Sequence, residues 1–302
     1  MTKMKHIKTF LLLTLALLVT TWGSTQVASH SIEIKPEAEP TSQVVLMSEV
    51  EWGPLNPARG DQSPRAGTLW GDRTNSGPSG FLVEFVSGFS SPPHIHNVTY
   101  RGVVISGLIH NDDPNAEDMW LPVGSFWTQP AGEVHITAAE DSNNLAYIEI
   151  DEGPYLVLPA EEAFDNGERP VNVDESNIVW LDASDITWVD QPETQAFENG
   201  LKMAFLWGKP QDGQLNGTLV KLPSGFNGEL HSNGSILRSV VIQGQPSHWL
   251  SGETKVNRLE PGSYFGSEGE TVHQIWCEVE EECIIYMRTE GKFNIIPAQP
   301  KN

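Results

Sequence analysis

From Val44 onward the chain is a succession of short apolar runs, each closed off by glycine, proline, asparagine or aspartate. Gly67 to Gly71, Phe81 to Val86, Gly102 to Gly107 and Leu145 to Ile150 are clear examples. β-Branched and aromatic residues fill these runs, and none keeps the three- and four-residue spacing of an amphipathic helix. The pattern predicts an all-β protein with many tight turns. One stretch breaks the rhythm: Pro159 to Asp174 is polar and acidic and reads as a linker or covering loop.

The runs repeat. Leu69-Trp70-Gly71 recurs as Leu206-Trp207-Gly208, Ser87-Gly88-Phe89 as Ser224-Gly225-Phe226, and Val103-Val104-Ile105 as Val240-Val241-Ile242. The offset is a constant 137, and 15 of the 39 positions from Leu69 to Gly107 are identical. Past Gly107 the offset becomes 138, pairing Gly124 with Gly262 and His135 with His273. An ungapped match of that length implies two tandem domains. The expected organisation is a first domain over 44–160, a linker over 161–178 and a second domain over 179–298, preceded by a flexible lead over 30–43.

Composition narrows the class. The 302 residues carry a formal charge of -22, with 27 glycines and 21 prolines. So acidic a surface repels phosphate backbones and anionic lipid, which argues against nucleic-acid and membrane-surface roles. Lys3, Lys5 and Lys8 precede an apolar run from Phe10 to Val19, and small residues follow. That is the layout of a secretory signal peptide over 1–29, so the expected location is periplasmic or extracellular, with no membrane attachment after cleavage. The two cysteines, Cys277 and Cys283, flank an acidic stretch that reads as a hairpin loop. A disulfide across it and two free thiols packed in a sheet are both open.

Candidate chemistry gathers on His94, His96 and His135. Residues two apart in a strand share a face, so His94 and His96 can aim at one point. Gly88, His94, His96 and Gly107 fall on the first sequence motif of the cupin superfamily, and Gly124, Pro130, Gly132 and His135 on the second. The chain therefore resembles a bicupin, and its wording is similar to an uncharacterised bacterial cupin family (DUF4437-like, ChrR-like). The resemblance implies two cupin β-barrels or jelly rolls. It also implies one divalent transition metal (Zn, Fe, Mn, Ni or Cu) held by His94, His96 and His135. Two departures matter. Tyr100 stands where the superfamily has a glutamate ligand, and Ala139 replaces an asparagine. Tyr100 could ligate as a phenolate, hydrogen-bond a metal-bound water, or only pack. Glu133, two before His135, would share its face in an extended strand and could serve as ligand or base, or face solvent.

The second domain reads as degenerate. His96 becomes Asn233, Tyr100 becomes Leu237, and Pro130 and Gly132 become Glu268 and Glu270. An amide is a poor transition-metal ligand beside imidazole. Arg101 and Arg238 occupy equivalent places in both halves, which points to structure, through ion pairs or loop carbonyls. His110 and His248 read as surface residues. Trp120, Phe126 and Trp127 read as pocket walls or core. No P-loop, dinucleotide fingerprint or nucleophile elbow is present.

These features predict an exported metal-dependent enzyme of oxygenase or isomerase type acting on a small organic molecule, with Tyr100 or Glu133 as acid or base. The alternative is a non-catalytic cupin that binds or senses a small molecule or a metal. A homodimer is compatible with either.

Overall fold

Thr41–Val45, the first of the described strands, pairs antiparallel with Tyr264–Glu268, Thr41 opposite Glu268 and Val45 opposite Tyr264. The computed structural model describes residues 41–186, 189–190 and 200–298, apart from 212, 234, 235, 279 and 281. The signal peptide expected over 1–29 and most of the lead lie outside the described residues. The described part of the lead is a strand belonging to the second half, which corrects the flexible reading of 41–43 and the assignment of 44–45 to the first domain. The cause is apolar burial at an open edge. Val44 and Leu46 pack on the second half's core, and the strand covers an otherwise unpaired edge.

Among the described residues there is no α-helix, only short 3-10 turns between strands. The first half contains a seven-stranded sheet in the order Val171–Val173, Phe126–Gln129, Tyr100–Ser106, Asn144–Ile150, Ser79–Phe85, Arg65–Gly71 and Trp52–Pro54. Val171–Val173 comes from the expected linker, so that segment is an edge strand of the first sheet. The same half carries a three-stranded sheet (Phe89–Ser90, Ile136–Ala139, Ile109–Asp112) and a two-stranded one (Val157–Pro159, His94–His96). The second half repeats the plan with a seven-stranded and a six-stranded sheet.

Alternation along the strands builds three cores. Phe81, Val83 and Phe85 point into the first half with Val104 and Ile148. Met203, Val220, Leu222 and Met287 fill the second half. The intervening residues Leu82, Val103, Ile105, Leu145 and Tyr147 meet Leu219, Val240, Ile242, Tyr264 and Tyr286 in a cluster shared by both halves. Runs such as Val103-Val104-Ile105 are apolar throughout because both faces of these strands are buried.

The repeated glycine and tryptophan have one role in both halves. Trp70 Nε1 donates to Tyr147 Oη at 3.0 Å, and Trp207 Nε1 to Tyr286 Oη at 2.8 Å. Each indole lies across the next strand. A Cβ at Gly80 would stand 2.1 Å from Trp70 Nε1, and one at Gly217 would stand 1.9 Å from Trp207 Nε1. Only glycine permits that approach. Between the two tyrosines sits Glu149, 1% exposed, accepting from Tyr147 Oη (3.1 Å), Tyr286 Oη (2.7 Å) and Arg288 (3.3 Å). Cys277 and Cys283 form a disulfide with a Cα separation of 6.1 Å.

Candidate metal centre

Register decides which side chains meet. His94 and His135 face each other across an antiparallel bridge, each N–H donating to the other's carbonyl at 3.0 Å. His96 is on the same short strand as His94, which is anchored on Val157–Pro159. The ring centroids lie 4.3 Å (His94–His135), 5.1 Å (His94–His96) and 5.3 Å (His96–His135) apart. All three are buried, and their ligand atoms fall within 4.8 Å of one another. Among the described residues this is the one cluster of three or more histidine, cysteine or carboxylate side chains with such geometry.

The backbone sets the tautomers. His94 Nδ1 lies 3.0 Å from Pro92 O, His96 Nδ1 2.8 Å from Leu156 O, and His135 Nδ1 3.1 Å from Glu133 O. A carbonyl only accepts, so each Nδ1 carries the hydrogen and each Nε2 is unprotonated, with its lone pair available to a donor or a metal. Burial holds the charged forms off. It lowers His94, drives His96 well down with help from His135 and His94, and takes His135 to about 3 with help from His94. Three neutral imidazoles with tethered Nδ1 atoms are the donor set that zinc, iron, copper and nickel accept, and they leave coordination positions open. The residues fit a metal.

Two phenols stand at this face. Tyr155 Oη is 3.1 Å from His96 Nε2, and its ring stacks on that imidazole at 4.2 Å. Tyr100 Oη is 3.3 Å from His135 Nε2 and donates to Asn111 Oδ1 at 2.8 Å. Burial raises the pKa of both phenols, so both are protonated at neutral pH. Tyr100 is thus placed as a hydrogen-bonding phenol in contact with a histidine. The strand pairs Tyr100 with Gln129 and Asn111 with Thr137, which puts all four on one side. Thr137 Oγ1 donates to Asn111 Oδ1 at 2.9 Å and Asn111 Nδ2 to Gln129 Oε1 at 2.9 Å.

Glu133 is placed differently. Pro130 to Val134 is a turn, not a strand, with Gly132 at a φ of +78°, so alternation does not apply there. The Glu133 side chain borders a surface hollow beside Asp165 and Arg169, and its backbone carbonyl tethers His135. It is not among the residues of the histidine cavity. His110 and His248 are also corrected: both are 1% exposed. His110 sits in Ile109–Asp112 one residue from Asn111, on the opposite face, and His248 Nε2 bonds His273 Nδ1 at 2.9 Å. Phe126 joins the shared core, Trp127 lines the cavity, and Trp120 is half-buried 5.9 Å from His110.

In the second half the two histidines never meet. His231 lies opposite Val272, while His273 lies opposite Leu230. Neighbouring strand positions face opposite ways, so the one-residue shift separates them. His231 bonds Glu229 at 2.9 Å near the surface, and His273 is buried against His248 and Ser267.

His94 and His96 open onto a cavity of about 270 Å³ with mostly apolar walls, among them Val83, Phe85, Phe89 and Ile148, and His135 lies buried behind them. Sequence reasoning missed Tyr155, Asn111 and Gln129. Tyr155 follows a Gly-Pro turn with no periodic signal, whereas Asn111 and Gln129 show only once the register is known.

The family model described as a domain of unknown function, DUF4437, matches residues 43–296. No curated protein matches the chain. Among solved structures, a candidate dioxygenase from Nostoc punctiforme is 14% identical with a TM-score of 0.62, covering 88% of this chain and 89% of that one. Salicylate 1,2-dioxygenase from Pseudaminobacter salicylatoxidans is 14% identical with a TM-score of 0.52, covering 88% of each chain. Oxalate decarboxylase from Lactobacillus farciminis is 12% identical with a TM-score of 0.51, covering 82% of this chain and 86% of that one. These likenesses are of fold.

Proposed function

The chain belongs to the DUF4437 family, within the cupin superfamily, and from that premise we propose that it is an exported, metal-dependent enzyme of oxygenase type acting on a small organic molecule. One observation carries the reading: three buried imidazoles bring their ligand atoms within 4.8 Å of one another, with every Nδ1 committed to a backbone carbonyl and every Nε2 left unprotonated. A carbonyl-tethered Nδ1 fixes the ring and leaves Nε2 as the donor atom, which is what a metal-ligating histidine needs. The metal, when bound, supplies Lewis acidity and, if redox-active, an electron route to dioxygen. His94, His96 and His135 hold it. Tyr100 and Tyr155 offer neutral O–H donors at the same face, where developing negative charge on a substrate oxygen would be stabilised. Asn111 and Thr137 fix the Tyr100 hydroxyl, and the apolar walls keep water from the reacting atoms. The dioxygenase names of two structural neighbours favour oxygenation over isomerisation. Export is supported by the charged-then-apolar leader and by the Cys277–Cys283 disulfide.

The test is elemental analysis of untagged protein, followed by reconstitution with Zn, Mn, Fe, Ni and Cu. One equivalent per chain is expected. No binding of any of the five, or two equivalents, overturns the reading. Dioxygen uptake by the iron-loaded protein with small organic acids then tests the reaction type.

A further inference from the structure

The histidine cavity has one charged side chain at its wall. Its lining residues include no aspartate, glutamate or lysine, and Arg59 is the sole arginine among them. Arg59 sits in the turn Pro57–Gln62, with its guanidinium carbon 5.6 Å from the centroid of Phe89, another wall residue. Arg65, Arg101, Arg169, Arg238, Arg258 and Arg288 each pair with a carboxylate. Arg59 and Arg73 pair with none among the described residues; Arg73 bonds Thr68 Oγ1 and does not line the cavity. Of these two arginines Arg59 alone stands at the cavity wall, so among the described residues it is the one cation that a ligand's anionic group could meet there. A guanidinium presents a planar donor fork that fits a carboxylate in two parallel hydrogen bonds.

Size sets the rest of the ligand. An apolar cavity of roughly 150 Å³ holds benzene, so about 270 Å³ has room for one substituted ring or a short chain of that bulk. It has no room for a nucleotide. Phe85, Phe89, Trp127 and Ile148 offer flat and aliphatic walls for such a body.

We propose that this cavity binds a small monocarboxylate with an apolar, ring-sized body, the carboxylate paired with Arg59 and the body lying between it and the three histidines. The orientation of the far end toward His94, His96 and His135 rests on the metal-centre reading, whereas the pairing with Arg59 does not.

The full chain is titrated with benzoate and with benzamide, equal in shape and different in charge, with binding read by calorimetry. Wild type, Arg59→Gln and Arg59→Lys are compared, each with zinc and metal-free. Benzoate is expected to bind at least ~10-fold more tightly than benzamide. Arg59→Gln removes that preference, leaves benzamide binding within about 2-fold, and leaves zinc stoichiometry unchanged. Arg59→Lys restores part of the preference, because it keeps the charge and loses the fork, and it carries the test if Arg59→Gln does not fold. No saturable benzoate binding, no preference over benzamide, or a preference that survives Arg59→Gln overturns the proposal; the last result would place the carboxylate on the metal instead. A preference that persists in protein unable to hold any metal supports the proposal and overturns the metal-centre reading alone.

Discussion

Arg101 of the first half lies 3.7 Å from the ring centroid of Trp207 in the second, and Arg238 of the second lies 5.5 Å from Trp70 in the first. Each half sends its arginine to the other's tryptophan. Arg101 also pairs with Asp151 at 2.9 Å, and Arg238 pairs with Glu268. This crossed arrangement accounts for the residues that both halves retain. The repeated tryptophan, glycine and arginine belong to the contact between halves, which stays common to both, while the metal face was left free to diverge.

Glu149 and Arg288 are the most deeply buried charges in that contact, at 1% and 3% exposure. Arg288→Met leaves the buried Glu149 carboxylate with only the longer ion pair to Arg101 at 3.9 Å, and should cost about 3–5 kcal/mol in urea denaturation. Adding Glu149→Gln should recover at least half, since no unpaired charge then remains. Equal stability of the single and double variants would show that Glu149 does not depend on Arg288.

His94→Ala, His96→Ala and His135→Ala should each abolish metal retention with the fold intact. His273→Ala should keep the metal. It loses hydrogen bonds to His248 and Ser267, so thermal denaturation should show a deficit of about 1–3 kcal/mol. Metal loss in His273→Ala with retention in His135→Ala would put the working site in the wrong half.

Acid should weaken the second half through the same pair. Burial, with His273 beside it, holds His248 at about 3, and burial, with His231 nearby, holds His273 at about 4. An unfolded histidine titrates near ~6.5, so below that value the unfolded chain takes up protons that the folded one refuses. The contribution is fully present above about pH 6.5 and is lost as pH falls toward 4 and below. Melting temperatures of metal-free protein from pH 7.5 to 4.5 should fall, and His248→Asn/His273→Asn should flatten the slope. Parallel slopes in the two proteins would remove these histidines from the account.

Export predicts a mature chain that begins between Ser24 and Ser31. N-terminal sequencing of the native protein checks it. An intact Met1 or Thr2 in a cytoplasmic fraction would rule it out, and with it the oxidising compartment as the reason for the disulfide.

Legibility in the sequence followed the range of each interaction. The all-β class, the repeat and the trio His94, His96 and His135 could be read directly, because alternation and fixed spacing are local. Glu133 could not, because a positive-φ glycine before it breaks the alternation on which its placement relied. The burial of His110 and His248 was also hidden: a histidine within a short polar stretch looks exposed until the facing sheet is known. Tyr155 and Arg59 reach the cavity from turns, where no period marks which way a side chain points. The one-residue offset between His231 and His273 was already visible in the change from 137 to 138, but its effect on facing needed the register.

The pairing of Thr41–Val45 with Tyr264–Glu268 also orders events in time. A ribosome delivers the second of these strands more than two hundred residues after the first. The opening strand therefore has no partner until nearly the whole chain has emerged, and the second sheet cannot close its edge before then. Such long-range closure makes for slow folding and leaves a sticky strand exposed meanwhile. The chain is built to stay unfinished until it is complete, so cutting back its C-terminal hairpins should leave its N-terminal strand as the site of aggregation.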